Sequence, residues 1–312
     1  MKVVVTGALG HIGSRLIREL PSFFADVEVV MIDNMKTQRY ASLFNLPESG
    51  RYRFIEDDVN TMDLKPALSG ANAVVHLAAL TDAAGSFGRA EEVEKVNFTA
   101  TKCVAEACAV LGVPMIHASS TSVYGTQNDV VDEFCGADGL KPQSPYAETK
   151  LREEELIATM CRSGELRAVT FRNGTIFGTS PGMRFHTAVN KFCWQAVMGQ
   201  PLTVWRTAYD QKRPYLDLSD AIRAIVFVIE KDLFDGNIYN VVTVNATVRD
   251  VVEKIRLQVP DLGVNFVDNK IMNQLSYEVL NTRMSKAGFE PKGDMLKGVS
   301  STIQLLSRSH AR

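Results

Sequence analysis

The sequence predicts an α/β protein, in which a doubly wound parallel sheet is joined to a smaller C-terminal lobe. Three observations lead to this prediction: short apolar runs recur through the first half of the chain, helical patterns separate most of them, and the alternation loosens after Gly174. Near-continuous apolar strands that alternate with helices are typical of a parallel sheet covered on both faces. The predicted strands cover residues 3–5, 27–32, 52–55, 73–77, 115–118 and 168–171.

Length and composition agree with this fold class and exclude several others. The chain has 312 residues, of which 46% are hydrophobic and 22% are charged, so it can bury a large core and is neither disordered nor a coiled coil. Its formal net charge of −2 predicts no nucleic-acid partner and no membrane partner. Because the N-terminus lacks the apolar segment of a signal peptide and no apolar run reaches about 18 residues, we expect a cytoplasmic protein.

The spacing of cysteines and histidines predicts no metal site. The five cysteines form no Cys-x-x-Cys pair and lie mostly in apolar stretches, which favours reduced, packed thiols. The five histidines include no His-x-x-x-His pair, so a transition metal has no recognisable set of ligands.

Helical patterns and chain breaks suggest the domain organisation. The longest helical pattern covers residues 91–111 and stops at Gly112, and a second one, with Pro145 at its start, covers residues 146–161. A late apolar run at residues 237–242 is expected to return to the sheet. We therefore predict a sheet domain of residues 1–172, to which segments at about 210–245 return, and a smaller lobe of residues 173–209 and 246–312.

The first predicted strand runs directly into a glycine-rich turn and the start of a helix. Gly7, Gly10 and Gly13 follow the pattern Gly-x-x-Gly-x-x-Gly. In that order they permit a tight turn, the close approach of a pyrophosphate to the backbone, and close packing of the helix on the strand. The N–H groups at a helix start bind phosphate, so this loop predicts a dinucleotide site in a Rossmann-type sheet.

Two acidic residues follow the next strands. Asp33 directly follows the second predicted strand and stands 20 residues beyond Gly13. A carboxylate at this position hydrogen-bonds the adenosine ribose and repels a 2′-phosphate, which favours NAD over NADP. Asp58, after the third strand, is a second candidate for cofactor contact. The competing interpretations are a strand cap for Asp33 and a surface turn for Asp58.

Three side chains form the candidate catalytic group. Tyr146 and Lys150 lie four residues apart and project from one face of a helix, where the ammonium is expected to lower the pKa of the phenol toward neutrality for use as a general base. Ser120 follows an apolar strand, at the edge where open α/β sheets bind ligands. A Tyr-x-x-x-Lys pair usually lies on a surface and a Ser-rich loop often only solvates its own backbone, but the preceding nucleotide loop favours the catalytic interpretation.

Together these motifs resemble the extended short-chain dehydrogenase/reductase family, in its nucleotide-sugar epimerase and dehydratase branch. The resemblance covers residues 2 to about 245 and extends loosely into the tail. It rests on matches, in the family's order and near its spacings, at positions 6–13, 33, 58–59, 76–79, 97, 119–125, 146–150 and 213–220.

The resemblance implies roles for individual residues. Ser120, Tyr146 and Lys150 would be the catalytic triad, with Lys150 also holding the nicotinamide ribose. Arg213 would bind the substrate diphosphate, for which a planar guanidinium is well suited. The residues implied around NAD, besides Tyr146 and Lys150, are Gly7, Gly10, His11, Ile12, Gly13, Asp33, Asn34, Asp58, Val59, Leu77, Ala78, Ala79 and Asn97.

Departures from the family pattern bear on the reaction. Family dehydratases carry an Asp-Glu pair directly after the catalytic hydroxyl residue, where this chain has Thr121 and Ser122. Neither is an effective acid or base near neutral pH, so dehydration is disfavoured. The Cys and Lys pair expected of a 3,5-epimerase is also missing from this loop. Thr175 stands where many relatives place a substrate-binding asparagine, so the identity of the sugar stays open.

Several polar residues are candidates for substrate contact. Those in the segment after Pro181 have a competing interpretation as ordinary surface residues at a helix start. The candidate substrate-binding residues are Thr121, Ser122, Thr175, Arg184, His186, Asn190 and Arg213.

The resemblance implies an NAD-dependent epimerase of a nucleotide-diphosphate sugar, with C4 as the expected position. Tyr146 would remove the hydroxyl proton, and bound NAD would supply the hydride chemistry by which the rotated keto sugar is reduced again on its other face. One alternative is a dehydrogenase or reductase with net redox on a nucleotide sugar or another polar alcohol. Another is a non-catalytic family member that senses nucleotides or binds a protein.

Two long helical patterns predict a homodimer. Both appear apolar on more than one face, and an apolar stripe that does not cover the sheet needs another partner. Members of the resembling family pair these helices with their copies in a four-helix bundle, which implies the same here. A loop of the same chain over the helices is the alternative. The apolar positions are Val93, Val96, Cys103, Val104, Ala107 and Val110 in one pattern and Leu151, Leu156, Ile157 and Met160 in the other.

Overall fold

A computed structural model describes residues 1–81, 85–125, 129–268 and 276–308. The strands are β1 (Lys2–Thr6), β2 (Glu28–Asp33), β3 (Arg51–Glu56), β4 (Ala73–His76), β5 (Met115–Ser120), β6 (Val130–Val131), β7 (Ala168–Asn173), β8 (Thr175–Phe177), β9 (Leu202–Trp205), β10 (Lys212–Asp217), β11 (Ile238–Val241), β12 (Val244–Thr247), β13 (Val264–Val267) and β14 (Glu278–Val279). The α-helices are α1 (His11–Phe23), α2 (Lys65–Leu68), α3 (Ala90–Leu111), α4 (Pro145–Arg162), α5 (Ala188–Val197), α6 (Leu218–Lys231), α7 (Val248–Arg256), α8 (Thr282–Lys286) and α9 (Met295–Ser307).

The central element of the described chain is a seven-stranded parallel sheet with the order β3-β2-β1-β4-β5-β7-β11. Val4 of β1 pairs with Val30 of β2 on one side and with Val74 of β4 on the other. The strand order reverses direction between β1 and β4, which is where open α/β sheets bind ligands at their carboxyl edge. The predicted fold class is therefore confirmed, and each of the six predicted strands coincides with a strand of this sheet.

Helices cover both faces of the sheet, which explains why its strands are apolar along their whole length. On one face α1 and α6 pack together, and Leu16, Ile17 and Ile222 are buried with Val3 and Val5 of β1. On the other face α3 and α4 pack together over β4, β5 and β7, again with apolar side chains between helix and sheet. This burial of apolar side chains stabilises the sheet and its helices.

The two long helices begin and end as their sequences predict. The amide of Ala147 donates to the Ser144 side chain at 3.2 Å, which caps the N-terminus of α4, and Pro145 occupies the first turn without losing a hydrogen bond. Helix α3 ends at Gly112, whose φ of +64° places it in the left-handed region that favours glycine. Helix α3 extends the predicted range by one residue at its start, and α4 extends it by one residue at each end.

A second core lies beside the main sheet. Strands β12, β10 and β8 form a three-stranded sheet, and β13 pairs with β9. Helices α5, α7 and α9 pack around this core, which buries Phe177, Tyr215 and Val299. Strand β10 thus belongs to the three-stranded sheet, whereas α6 and β11, which follow it, return to the seven-stranded sheet.

The division into two domains at the predicted boundaries stays a prediction. Residues 82–84 and 126–128 of the predicted sheet domain, and 269–275 and 309–312 of the predicted lobe, lie outside the described residues. Within the described ranges, no helix has the length and apolar character needed to span a membrane. All five cysteines are unpaired, and Cys108 and Cys193 are buried.

Candidate active site

A cavity of about 690 Å³ lies at the carboxyl edge of the main sheet, across the point where the strand order reverses. Its wall combines the glycine-rich turn after β1, the ends of β2, β4 and β5, the start of α4, and residues of the second core. The three candidate catalytic residues line this one cavity, together with nearly all of the candidate cofactor residues.

The glycine-rich turn has the close backbone contacts that the sequence predicts. Gly7 has a φ of +64°, and a Cβ atom there would lie 2.7 Å from the carbonyl oxygen of Leu77. A Cβ on Gly13 would lie 2.5 Å from the carbonyl oxygen of Gly7. Any side chain at either position would therefore displace backbone. Because Gly10 and the first residues of α1 line the cavity, the positive end of the helix dipole faces it, as a phosphate site requires.

A carboxylate and its backbone donors form the other end of the cavity. Asp33 accepts hydrogen bonds from the amides of Leu9 at 3.1 Å and Met35 at 3.0 Å, so both of its oxygens are oriented. Asp58 Oδ2 accepts from Asn34 at 3.1 Å and from the ammonium of Lys36 at 3.0 Å. Partial burial raises the pKa of Asp58, but hydrogen bonds, first those from Asn60 and then those from Lys36 and Asn34, hold it well below its usual value. Both Asp33 and Asp58 line the cavity, as does Val59.

Strand β5 and helix α4 bring the catalytic candidates to one wall. Ser120 ends β5, and its Oγ accepts from the amide of Ser122 at 3.2 Å and from the Ser122 hydroxyl at 2.9 Å. Tyr146 is half-buried in the first turn of α4. The ammonium of Lys150, one turn further along, lies 5.9 Å from the centre of the Tyr146 ring. The wall can therefore present two hydroxyl groups and a cation to one ligand.

The pKa of Tyr146 in the protein alone differs from the sequence expectation. Burial raises the pKa of the phenol, and the opposing attraction of Lys150 does not outweigh it. Glu153, whose Oε2 accepts from Nζ of Lys150 at 2.8 Å, adds to the effect of burial, because its negative charge also raises the pKa of Tyr146. Burial lowers the pKa of Lys150, but Glu153 and Tyr146 more than offset this, so the pKa of Lys150 is raised.

The candidate substrate residues divide into two groups. Ser122, Thr175, Arg184 and His186 line the cavity, and the Arg184 guanidinium hydrogen-bonds the Thr81 hydroxyl. The other candidates, Thr121, Asn190 and Arg213, do not line it.

The three candidates that do not line the cavity contact other parts of the protein. Thr121 is buried and donates to the carbonyl oxygen of Asn173 at 3.3 Å. Asn190 is buried behind the wall and donates to the carbonyl oxygen of Arg184 at 3.1 Å, so it orients a lining residue. Arg213 lies with its guanidinium carbon 5.6 Å from the centre of the Tyr277 ring. Its role toward a diphosphate stays a prediction.

Two of the candidate cofactor residues, Asn97 and His11, hold other parts of the protein in place around the cavity. Asn97 lies behind the wall, where its side chain accepts from the amide of Leu80 at 2.7 Å and donates to the Leu80 carbonyl at 2.9 Å, so it shapes the wall through that residue. His11 lines the cavity and its Nε2 donates to the carbonyl oxygen of Gly178 at 2.9 Å, which ties the glycine-rich turn to the second core. Burial lowers the pKa of His11 to about 4, so the imidazole is neutral at physiological pH.

The sequence analysis missed several residues that line the cavity. Lys36 and Arg39 follow Asp33 closely in the chain, so two basic residues directly after the acidic strand end were an available signal. Trp205 reaches the cavity from β9, and no local pattern marks it. The other lining residues without a prior assignment include Thr37, Asp57, Asn60, His76, Leu80, Thr81, Arg89 and Glu92.

Comparisons with known proteins agree with this geometry. Residues 3–241 match the model of the NAD-dependent epimerase/dehydratase family. The chain is 29% identical to the uncharacterized UDP-glucose epimerase YtcB of Bacillus subtilis (strain 168), over 98% of this chain and 98% of that protein.

A second relative is a multifunctional plant protein. Over 96% of its length, the chain is 29% identical to the trifunctional UDP-glucose 4,6-dehydratase/UDP-4-keto-6-deoxy-D-glucose 3,5-epimerase/UDP-4-keto-L-rhamnose-reductase RHM1 of Arabidopsis thaliana. The match covers 46% of that protein, so the chain spans about half the length of this curated relative.

A solved structure with a similar fold carries both a cofactor and a nucleotide sugar. It is a Tyr-to-Phe variant of the UDP-glucuronic acid 4-epimerase of Bacillus cereus, in complex with UDP-4-deoxy-4-fluoro-glucuronic acid and NAD. The two chains share 25% identity and a TM-score of 0.90, and the match covers 99% of this chain and 100% of the other.

Proposed function

The chain belongs to the NAD-dependent epimerase/dehydratase family, and on this basis we propose that it is an NAD-dependent epimerase that inverts C4 of a nucleotide-diphosphate sugar. The observation that carries the proposal is the convergence of Ser120, Tyr146 and Lys150 on one wall of a cavity whose far end holds the glycine-rich turn and Asp33. A cofactor bound from the turn to Asp33 would leave its reactive end beside the triad.

The residues of the cavity fit NAD. The backbone contacts of Gly7 and Gly13 leave space that only glycine permits, next to a helix N-terminus suited to a pyrophosphate. Asp33 is oriented to accept from ribose hydroxyls, with Asn34, Asp58 and Val59 beside it. Bound NAD would accept a hydride from the sugar and return it to the opposite face.

The chain's own residues would manage the proton and hold the intermediate. Tyr146 would take the proton of the C4 hydroxyl and return it after the sugar has turned, because its phenol lies in the cavity within range of the Lys150 charge. Ser120 would donate to the same oxygen, and Ser122, which donates to Ser120, would fix its direction. The charge of Lys150 would stabilise the phenolate.

The acidic residues of the cavity argue against dehydration. Dehydration needs an acid and a base beside the reacting carbons, and the positions after Ser120 hold hydroxyl residues instead. Asp33 ends β2, and Asp57 and Asp58 follow β3, so all three lie on the far side of β1 from β5. Glu92 is paired with Arg89, with 2.6 Å between its Oε2 and the arginine Nε. The described cavity therefore supplies no carboxylate next to Ser120.

The charge near the triad suggests the class of sugar. Arg184 lines the cavity close enough to the phenol of Tyr146 to lower its pKa, although burial of the phenol has the larger effect. A cation so close to Tyr146 suits an anionic group on the sugar, such as the carboxylate of a uronic acid. The solved structure described above binds such a UDP-sugar, which supports a UDP-uronic acid as the first substrate to test.

The function is tested by incubating the protein and NAD with UDP-glucuronic acid, UDP-glucose and UDP-N-acetylglucosamine and following the sugars by NMR. A 4-epimer of at least one sugar, formed without accumulation of NADH at about 340 nm, is the expected result. Stoichiometric NADH without an epimer would identify the competing function, a dehydrogenase with net redox. Binding of NAD without turnover of any nucleotide sugar would favour a non-catalytic nucleotide-binding protein.

A homodimer and a cytoplasmic location complete the proposal. Val110 on α3 is 69% exposed, and the ring of Phe98 on the same helix lies under the guanidinium of Arg152 from α4. These two helices support the predicted four-helix bundle with a second copy. Val104, by contrast, is fully buried in the protomer, so the second apolar stripe is narrower than the sequence suggests. The cytoplasmic location rests on the sequence alone.

A further inference from the structure

A group of buried polar side chains lies beside the wall that carries Tyr146, and one of them, His76, also lines the cavity. Each exposes 2% or less of its surface, and the group joins three strands and two helices. Buried polar groups cost free energy unless they find partners, so their arrangement has to be specific. This buried network consists of Thr6 in β1, His76 in β4, Thr101 in α3, His117 in β5 and Glu153 in α4.

Glu153 supplies the negative charge of the buried network and accepts three hydrogen bonds on one oxygen. Its Oε2 lies 2.8 Å from Nζ of Lys150, 2.8 Å from Nε2 of His117 and 2.9 Å from Oγ1 of Thr101. Its Oε1 is buried and has no hydrogen-bond partner within the described ranges. The carboxylate is thus held from one side, by the catalytic ammonium and two further donors.

The hydrogen bonds of the buried network run in one direction. Thr101 gives its proton to Glu153, so the Thr101 oxygen accepts from Nε2 of His76 at 3.2 Å. This assigns the tautomer of His76 and leaves its Nδ1 to accept from the Thr6 hydroxyl at 2.8 Å. Burial, with the charge of Lys150 among the smaller causes, lowers the pKa of His76 to about 3, so this tautomer is neutral.

The other end of the buried network reaches the wall of the cavity. The Thr6 oxygen accepts from the backbone amides of Leu77 at 3.3 Å and Ala78 at 3.4 Å, and both of these residues line the cavity. A continuous set of hydrogen bonds therefore connects the backbone beside the glycine-rich turn with the ammonium of Lys150. Both ends of the connection lie where the proposed cofactor would bind.

Among the charged groups near Lys150, Glu153 is the carboxylate that pairs with it. The titratable groups that face the Lys150–Glu153 pair from α4, β4 and β5 are Tyr146, Glu154, His76 and His117. Glu154 is bound by Arg172, with 2.6 Å between its Oε2 and the arginine Nη2. Burial raises the pKa of Glu153, but Lys150 and His117 outweigh it and hold the pKa well below its usual value. Glu153 is therefore ionised.

We propose that Glu153 is a positioning residue for the reaction: its carboxylate, fixed by Thr101 and His117, holds the ammonium of Lys150 charged and in place behind Tyr146. The proposal rests on the proposed function for the role of Lys150, but the pairing itself exists without substrate. A buried ammonium without a carboxylate would lose its proton more readily, and it would then no longer stabilise the phenolate. Glu153 acts on the reaction only through Lys150.

The first experiment measures the titration of Lys150 in the protein without ligands. Lysine labelled with ¹³C at the ε position is followed by NMR against pH, and the Lys150 signal is assigned as the one that Lys150→Arg removes. In Glu153→Gln, we expect the Lys150 midpoint to fall by about one pH unit or more. Glu155→Gln, on an exposed position of the same helix, is the matched control and should leave the midpoint unchanged. An unchanged midpoint in a folded Glu153→Gln protein overturns the proposal.

A second variant keeps the charge and moves it. Glu153→Asp withdraws the carboxylate by one methylene, so Lys150 should titrate near the wild-type pH while kcat falls about tenfold and KM stays close to its wild-type value. A wild-type kcat in Glu153→Asp would contradict the positioning role, whether or not Glu153→Gln folds. If the protein epimerises no sugar but the Lys150 midpoint shifts as expected, the proposed function fails and the pairing stands.

Discussion

The ammonium of Lys150 lies 2.8 Å from the carboxylate of Glu153, three residues further along α4, and 5.9 Å from the centre of the Tyr146 ring. The lysine is therefore paired before any ligand binds, and the pKa of Tyr146 is raised rather than lowered in the protein alone. On the proposed function, formation of the phenolate would depend on what the bound cofactor and substrate add to this wall. The pairing also explains how Lys150, a residue that is only 3% exposed, keeps its ammonium charged.

The first prediction concerns cofactor choice. Because both oxygens of Asp33 are held by backbone amides, the carboxylate is fixed where it would accept from ribose hydroxyls and repel a 2′-phosphate. We expect NAD to bind at least about tenfold more tightly than NADP, on the order of 1.4 kcal/mol, and Asp33→Asn to narrow this difference. Calorimetry with both dinucleotides measures it, and equal affinities for the wild-type protein would refute the role of Asp33.

The second prediction concerns the glycine-rich turn. In Gly13→Ala, the new methyl group would lie 2.5 Å from the carbonyl oxygen of Gly7, so the turn has to shift. We expect a loss of about 1–3 kcal/mol in the free energy of unfolding, measured in urea, and weaker NAD binding. Gly136→Ala is the matched control, since a Cβ there meets no atom within 4 Å and should change neither property. Equal behaviour of the two variants would show that the turn tolerates a side chain.

Much of this turn and of the sheet can be predicted from the sequence because local rules determine it. Glycines are required where a Cβ would meet backbone, and strands buried on both faces have to be apolar, as Val3 to Val5 are. The ends of α3 and α4 follow from Gly112 and Ser144 in the same way. These features depend on neighbours in the chain.

The parts that could not be predicted depend on distant segments. Glu153 follows Lys150 at a spacing that is usual for exposed helix pairs, and only the packing of α4 against β5 and α3 buries it with His117 and Thr101. The sequence of β10 does not tell which sheet this strand joins, and it pairs with β8 and β12. Arg213, at the start of β10, accordingly lies beside Tyr277 and outside the cavity lining.

The third prediction concerns stability against pH. The folded pKa values of His76, about 3, and His11, about 4, lie below the usual value of 6.5. Between these folded values and pH 6.5, the unfolded chain therefore binds more protons than the folded protein. Their contribution to stability is complete above pH ~6.5 and is lost as the pH falls, by at most about 1.4 kcal/mol per pH unit for each histidine. Urea midpoints between pH 7.5 and 4.5 should show this loss, and His76→Gln should reduce its slope. A slope equal to that of the wild type would exclude His76 as a cause.

The fourth prediction concerns the proposed dimer. Val110 is 69% exposed on α3, and a charge there would be placed in the four-helix bundle of a dimer. We expect light scattering to give about twice the chain mass of 34.4 kDa for the wild-type protein and a shift toward the monomer for Val110→Lys. Leu257→Lys, at an equally exposed position after α7, is the control and should remain dimeric. A wild-type protein of 34.4 kDa at micromolar concentration would exclude the dimer.

The central claim is that the hydrogen at C4 of the sugar leaves as a hydride and returns to the same carbon. The measurement is NMR of UDP-glucuronic acid deuterated at C4, incubated with the protein and NAD in ordinary water, with Tyr146→Phe as the comparison. The account predicts a 4-epimer that retains deuterium at C4, formed at a rate about 10²–10⁴ times higher with the wild-type protein than with Tyr146→Phe. An epimer that carries solvent hydrogen at C4, or the same rate in Tyr146→Phe, would contradict it.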